Sequence, residues 1–258
     1  MKHFILPILL LFSFVSPSLS AQDADSLYTA GAGAYGLEKY DDAIKDFGQI
    51  IEQSAEPTAE MYYNLGNAYY KSGNLGFAVL NYERAYRLNP ADKATKHNLK
   101  LLSTRIEDKI APSPASVVKS YVDAVTHWFT LRTWVVLSIL FFAVFTGLVL
   151  LYFLGDRKEQ KLGGFYGAIL AILLALFCGI FAFKSDAFIR DSSEAVLTVP
   201  VVTLKSSPDS SAKDVAVLHS GLKVTVSQRV ADFYEVTLAD GVVGWLSVES
   251  LTFINPGF

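Results

Sequence analysis

Two stretches without a single charge decide most of what this chain can fold into. Between Arg132 and Asp156 lie 23 uncharged residues, Thr133 to Gly155, and between Lys161 and Lys184 lie 22 more, Leu162 to Phe183. A helix needs about 20 apolar residues to cross a hydrocarbon core ~30 Å thick, so each run is long enough for one span. Trp134, Tyr152 and Tyr166 fall near their ends, where amphipathic rings prefer a membrane interface. Residues 133–155 and 162–183 are therefore expected as a transmembrane hairpin, with a pair of buried helices in a soluble core as the alternative. The loop at 156–161 carries Arg157, Lys158 and Lys161, which favours the cytoplasmic side.

A third apolar block opens the chain. Lys2 and His3 precede an apolar stretch from Phe4 to Val15, and Ser18 and Ser20 stand where the small residues of an export-signal cleavage site belong. About a dozen apolar residues are too few to span, so 1–20 reads as a removable signal, a retained anchor being the alternative. No cysteine follows the apolar stretch, which excludes lipoprotein processing. The signal carries the next domain outward, and two spans return the C-terminal domain to the same side. Both domains are thus expected to face the periplasm from the inner (cytoplasmic) membrane. In the linker at 112–131, Val118, Val122, Val125 and Phe129 recur at helical spacing after Pro112 and Pro114, the pattern of an interfacial amphipathic helix, with an ordinary packed helix as the alternative.

The segment before the spans, 22–111, contains a repeat. Ala59 to Pro90 places Tyr62, Leu65, Gly66, Tyr69, Ala78, Tyr82, Ala85 and Pro90 at a spacing that suits two antiparallel helices. The small residues allow close approach, the aromatics fill the space between, and Gly73-Asn74 makes the turn. Thirty-five residues earlier, Leu27, Gly31, Ala43 and Phe47 form a weaker copy, and Lys93 to Ile110 reads as a closing helix. The eight positions resemble the tetratricopeptide (TPR) family, which implies an all-α solenoid binding peptide segments in a groove lined by the first helix of each repeat. Carried over, that partner-binding groove is Tyr28, Ala32 and Tyr35, then Tyr63, Asn67 and Tyr70, then His97 and Leu101. The basic clamp that some TPR adaptors use for a C-terminal carboxylate is kept only as Asn67, which argues against tail recognition. Charge is split across the domain, with nine acidic and two basic residues from Asp23 to Glu60 and four against eight from Met61 to Ala111. Solvated helix faces explain this as well as a partner does.

From Glu194 the pattern changes to short β-branched runs: Ala195–Leu204, Val215–His219, Lys223–Ser227, Tyr234–Leu238 and Val242–Leu246. Five strands within 194–255 suit a small closed all-β barrel. The Asp240-Gly241 turn followed by Gly244-Trp245 resembles bacterial SH3 domains, which implies binding of peptide or cell-wall glycopeptide, or a spacer role. The aromatic slot of proline-reading SH3 domains is absent. Trp245 is expected to bury part of its ring and, with Gly244, to act structurally first.

Sites for chemistry do not emerge. Gly31-Ala-Gly33-Ala-Tyr-Gly36 spells a dinucleotide motif inside a helix rather than after a strand. The SxxK tetrads at Ser116 and Ser210 lack the companion motifs of acyl-transfer enzymes. His97, His127 and His219 are isolated, and Cys178 is the sole cysteine. No catalytic residue, metal or cofactor is expected, and the net charge of -3 gives no reason to expect nucleic acid.

The order of modules, with the His97-Asn-Leu, Arg105 and Asp108-Lys-Ile-Ala-Pro112 stretch, resembles the BatE family of aerotolerance-operon membrane proteins. The resemblance implies a non-enzymatic adaptor working with von Willebrand A (VWA)-domain membrane proteins of the same operon. A peptidoglycan-binding factor led by the barrel is the alternative. The fold class expected is a multidomain membrane protein made of a TPR solenoid, a two-helix transmembrane hairpin and an SH3-like barrel.

Overall fold

The computed structural model describes residues 21–111, 113 and 123–255. The signal expected at 1–20 lies outside the described residues, as do Val118 and Val122 of the expected interfacial helix.

Five helices come first: α1 (Ala21–Gly36), α2 (Tyr40–Gln53), α3 (Ala59–Lys71), α4 (Leu75–Leu88) and α5 (Lys93–Arg105). They stack as two hairpins and a closing helix. One contact closes both hairpins. A Cβ on Gly66 would lie 2.8 Å from the Tyr82 ring, and a Cβ on Gly31 would lie 3.0 Å from the Phe47 ring. In each pair the glycine lets an aromatic from the second helix rest on the backbone of the first. Ala43 and Ala78, both fully buried, occupy equivalent places. The turns match as well: Asn74 N–H donates to Tyr69 O and Lys39 N–H to Ala34 O, both at 2.9 Å. Gly73 takes φ +85° in the second turn, and Glu38 takes φ +59° in the first. The first hairpin therefore keeps the repeat's backbone after losing its turn glycine.

Two longer helices follow, α6 (Leu131–Leu154) and α7 (Lys158–Arg190). At 1.5 Å per residue they are about 36 and 50 Å long, and among the described residues they are the two long and apolar enough to cross a membrane. Only 6% of the most apolar window of α6 is buried, unlike the mostly buried core helix of a soluble domain. The buried seam of α7 runs through Gly164, Ala168, Ala171, Ala175, Cys178 and Ala182, alternating steps of four and three. Small residues at that spacing let two helices pack closely where lipid offers no hydrophobic drive. Ser138 adds a bond from its hydroxyl to Ala175 O at 3.0 Å. Cys178 is simply one member of the seam.

Near the start of α6, Trp134 is 3% exposed, stacked on Phe181, and donates from its indole to Thr126 O at 3.0 Å. In the described part of the linker, Thr126 and His127 are buried, while Phe129 is exposed.

The C-terminal module has seven strands: β1 (Glu194–Leu197), β2 (Val201–Lys205), β3 (Asp214–His219), β4 (Lys223–Val230), β5 (Phe233–Thr237), β6 (Val243–Ser247) and β7 (Leu251–Phe253). All described pairings are antiparallel, in the order β3-β2-β6-β5-β4-β1-β7. Five strands were expected. The first expected run divides at Thr198–Pro200, where proline has no N–H to give a ladder, and β7 is too short to read as a strand. The described ladder does not close, so β3 and β7 are its edges. The core is aliphatic, with Leu197, Leu204, Val224, Val236 and Leu246 at most 2% exposed. Trp245 is half-buried beside that core, in register with Lys205 and Glu235.

The barrel sits against α4. A Cβ on Gly76 would lie 2.8 Å from Leu197 O, so the helix and β1 touch backbone to backbone. Val196 and Ile254 join Ala78, Val79, Leu80 and Leu102 in one buried cluster. The segment after α5 runs along the barrel as a strap, with Ile110 packed on the barrel core and Ser113 N–H donating to Ala239 O at 2.9 Å.

Candidate functional site

The helical face expected to bind a partner brings most of its residues together. Tyr28, Ala32, Tyr35 and Asn67 line one cavity with Phe47 and Asn64. Its volume of about 110 Å³ is well below the ~300–1,000 Å³ of a small-molecule site, so it suits a single side chain. The Tyr28 hydroxyl donates to Glu60 at 3.0 Å and accepts from Asn64 at 3.2 Å. The bond to Glu60 pushes the Tyr28 hydroxyl above the usual tyrosine range, and burial adds to it.

Asn67 is the centre of the face. Its carbonyl oxygen accepts from the Tyr82 hydroxyl at 2.7 Å and from Asn98 at 3.3 Å, and Asn98 also reaches the Tyr63 hydroxyl at 3.4 Å. Burial holds the Tyr82 hydroxyl far above its ordinary pKa, so it stays a donor and keeps Asn67 oriented. Tyr63 packs on Tyr82, and the Arg105 guanidinium lies 5.1 Å from the centre of the Tyr70 ring. The face is thus half structural: Tyr35, Tyr63 and Tyr70 are partly buried among their neighbours, while Tyr28 is exposed.

His97 does not join this group. It is exposed, and the side chain that reaches Tyr63 and Asn67 is Asn98, one position on. Asn98 follows Tyr63 by 35 residues, the interval that separates Tyr28 from Tyr63. Counting the third unit at that interval would have found both Asn98 and Arg105, which follows Tyr70 by the same step.

A second polar cluster joins α4, the end of α7 and the barrel. Arg87, 3% exposed, pairs with Glu194 at 2.8 Å, donates to Phe188 O at 3.4 Å and also to Asp191 O. A cation at the C-terminal end of α7 satisfies carbonyls that have no partner within the helix. Lys223 lies 3.5 Å from Glu83 and 3.6 Å from Glu194. Burial alone would raise the pKa of Glu194, but Lys223 and Arg87 together hold it below the usual range. Arg84 donates to Ile254 O and Phe253 O, both at 3.0 Å. Beside this cluster His127 accepts or donates at Nδ1 with the Tyr86 hydroxyl at 2.7 Å, and burial pushes its pKa down. On the far side Asp108 binds His219 N–H at 2.7 Å and lies 3.0 Å from Nδ1, a bond that pushes the His219 pKa up. Among the described residues no three His, Cys, Asp or Glu side chains converge as metal ligands.

Comparison with known families agrees with both modules. Residues 59–92 match the tetratricopeptide repeat model, and residues 200–252 match the bacterial SH3 domain model. The chain carries a tetratricopeptide repeat and a bacterial SH3 domain. No curated protein matches the chain. The matched tetratricopeptide repeat is α3–α4, and α1–α2 shares its glycine–aromatic contact and turn bonds without reaching the match. The SH3 match omits β1 and includes β2 to Thr252, which leaves β1, with Val196, as the strand committed to α4. Tetratricopeptide and bacterial SH3 domains bind proteins or cell wall, and both are typically non-catalytic.

Proposed function

We propose that this chain is a membrane-anchored, non-enzymatic scaffold whose tetratricopeptide face captures an extended segment of a protein partner. One observation carries the reading. The barrel occupies α4, the second helix of the better repeat, while the face built from Tyr28, Tyr35, Tyr63, Asn67 and Tyr70 on the first helices stays exposed or half-buried, touched by neighbouring repeat helices. Tyrosine rings held by their neighbours bury much area on binding with little entropy left to lose. The export signal and the basic loop at 156–161 support a reading in which both domains face outward. The order of modules supports placing the chain in a BatE-type complex with VWA-domain membrane proteins.

The test uses the full chain in spheroplasts treated with a membrane-impermeant crosslinker. Tyr63→Ala combined with Tyr70→Ala should abolish recovery of the VWA-domain partner while the helical circular dichroism of the purified protein is kept. Full recovery by the variant would move the docking site elsewhere, and no crosslink in wild type would overturn the outward orientation. The second reading, a cell-wall factor led by the barrel, draws on Trp245, half-buried between Lys205 and Glu235 on the outer face of the strands. Sedimentation of the full detergent-solubilised chain with purified cell wall, lost on Trp245→Ala, would favour it.

A further inference from the structure

A wide cavity lies away from the groove, at the foot of the extramembrane unit. Its volume is about 1060 Å³, and its walls come from five parts of the chain: α4 (Tyr86), α5 (Lys96), the residues before α6 (Trp128), the last turns of α7 (Lys184, Phe188) and the barrel (Lys223). Its height is fixed by the hairpin. Lys184 is the first charge after the 22 uncharged residues of α7, and Trp128 stands just before α6 and is 64% exposed. From there the wall climbs to Asp191, seven residues or about 10 Å along the chain. The headgroup layer on either side of a bilayer is about 5–7 Å deep, so the lower half of the cavity lies within it.

The charges of the wall are unequally committed. Glu194 is taken by Arg87 and Lys223, Arg190 by Asp186 at 2.9 Å, and the Asp191 carboxylate by the N–H and hydroxyl of Ser193. Lys96 and Lys184 have no carboxylate partner among the described residues, and Lys96 leans over the Tyr86 ring at 5.9 Å. Asp123, on the same wall, leaves room for a zwitterionic headgroup. Two lysines without carboxylate partners, an exposed indole at the hydrocarbon edge and an aromatic wall of Tyr86 and Phe188 make up an interfacial phosphate site.

We propose that this cavity holds the phosphodiester headgroup of a membrane glycerophospholipid, with Lys96 and Lys184 on the phosphate and Trp128 against the start of the acyl chains. A lipid held there would fill the gap between α4, α7 and the barrel and set the height of the unit above the bilayer. The proposal rests on membrane insertion of α6 and α7.

Native mass spectrometry of the full chain in detergent tests it, with three probes: phosphatidylethanolamine, diacylglycerol of the same acyl chains, and water-soluble glycerophosphoethanolamine. The phospholipid should be retained at least about tenfold more than the diacylglycerol, as loss of one charged hydrogen bond implies, and the soluble compound should not be retained. Lys96→Ala with Lys184→Ala should reduce retention of the phospholipid to the diacylglycerol level. Ala187→Trp, which fills the cavity without touching a charge, should do the same. Equal retention of the two lipids, retention unchanged in both variants, or binding of the soluble compound would overturn the site. Alkaline carbonate washing of membranes separates the two failures: a chain that stays in the membrane but retains no phospholipid loses only this site, whereas a chain that washes out loses both readings.

Discussion

At the scale of single residues, the contacts that fix this protein are made where a side chain is missing. Gly31 and Gly66 each receive an aromatic ring, Gly76 receives the backbone of β1, and Gly244 receives Leu204, whose Cγ would lie 2.5 Å from an added Cβ. Leu204 is fully buried and has nowhere to retreat, so Gly244→Ala should cost about 1–3 kcal/mol as an overpacked core. Trp245→Ala removes a half-buried ring outside the core and should cost less. The order of the two melting midpoints checks this, and the reverse order would return Trp245 to the structural role expected from sequence. The alternation along β6 puts Gly244 and Leu246 inside and leaves Trp245 half-buried between them. Gly31 and Gly66 were legible because they recur at the repeat interval beside matching aromatics. Gly76 was not, because what it makes room for is more than 100 residues away.

At the scale of elements, α4 carries more than its repeat requires. One side closes the hairpin through Ala78, Tyr82 and Ala85, and another holds the barrel through Gly76, Glu83, Arg84 and Arg87. In sequence these charges look like an ordinary solvated face, since Arg87 finds Glu194 across 107 positions and Arg84 finds Ile254 across 170. No local pattern encodes such pairs. The consequence is measurable. Arg87→Met leaves Glu194 with Lys223 as its remaining cation and uncaps α7, so the loss should fall toward the lower end of about 3–5 kcal/mol, the usual cost of breaking a buried pair from one side. Arg87→Met with Glu194→Met removes both charges and leaves Lys223 to Glu83, so the double variant should recover most of that loss. Unfolding midpoints of the detergent-solubilised full chain read the cycle, and simple additivity of the two losses would show that the pair is not coupled.

At the scale of the whole molecule, the two histidines of the junction titrate in opposite senses. His127, with Asp123, Lys96, Lys223 and Glu194 around it, is held neutral by burial. Its contribution is present above the ordinary histidine pKa near 6.5 and is lost as pH falls below that value. The His219 pKa is raised by Asp108, so its contribution is complete below about 6.5 and fades as pH rises through the raised folded value. Between about pH 7.5 and 5.5, the midpoint of His219→Gln should therefore fall on acidification and that of His127→Phe should rise. Slopes of the same sign in both variants would show that other groups govern the junction. The broad plan of repeats, apolar hairpin and barrel was legible because each part has its own period. Their mutual docking was not, because it is written in isolated long-range contacts. One such contact has a mechanical meaning. The helix α7 runs unbroken from the apolar stretch to Arg190, and Arg87 clamps its end to α4 and β1. A span answers a thinner or thicker bilayer by changing its tilt. With no hinge between span and clamp, that tilt becomes rotation of the repeats and barrel together, so membrane thickness would set the angle at which the tyrosine face stands above the bilayer.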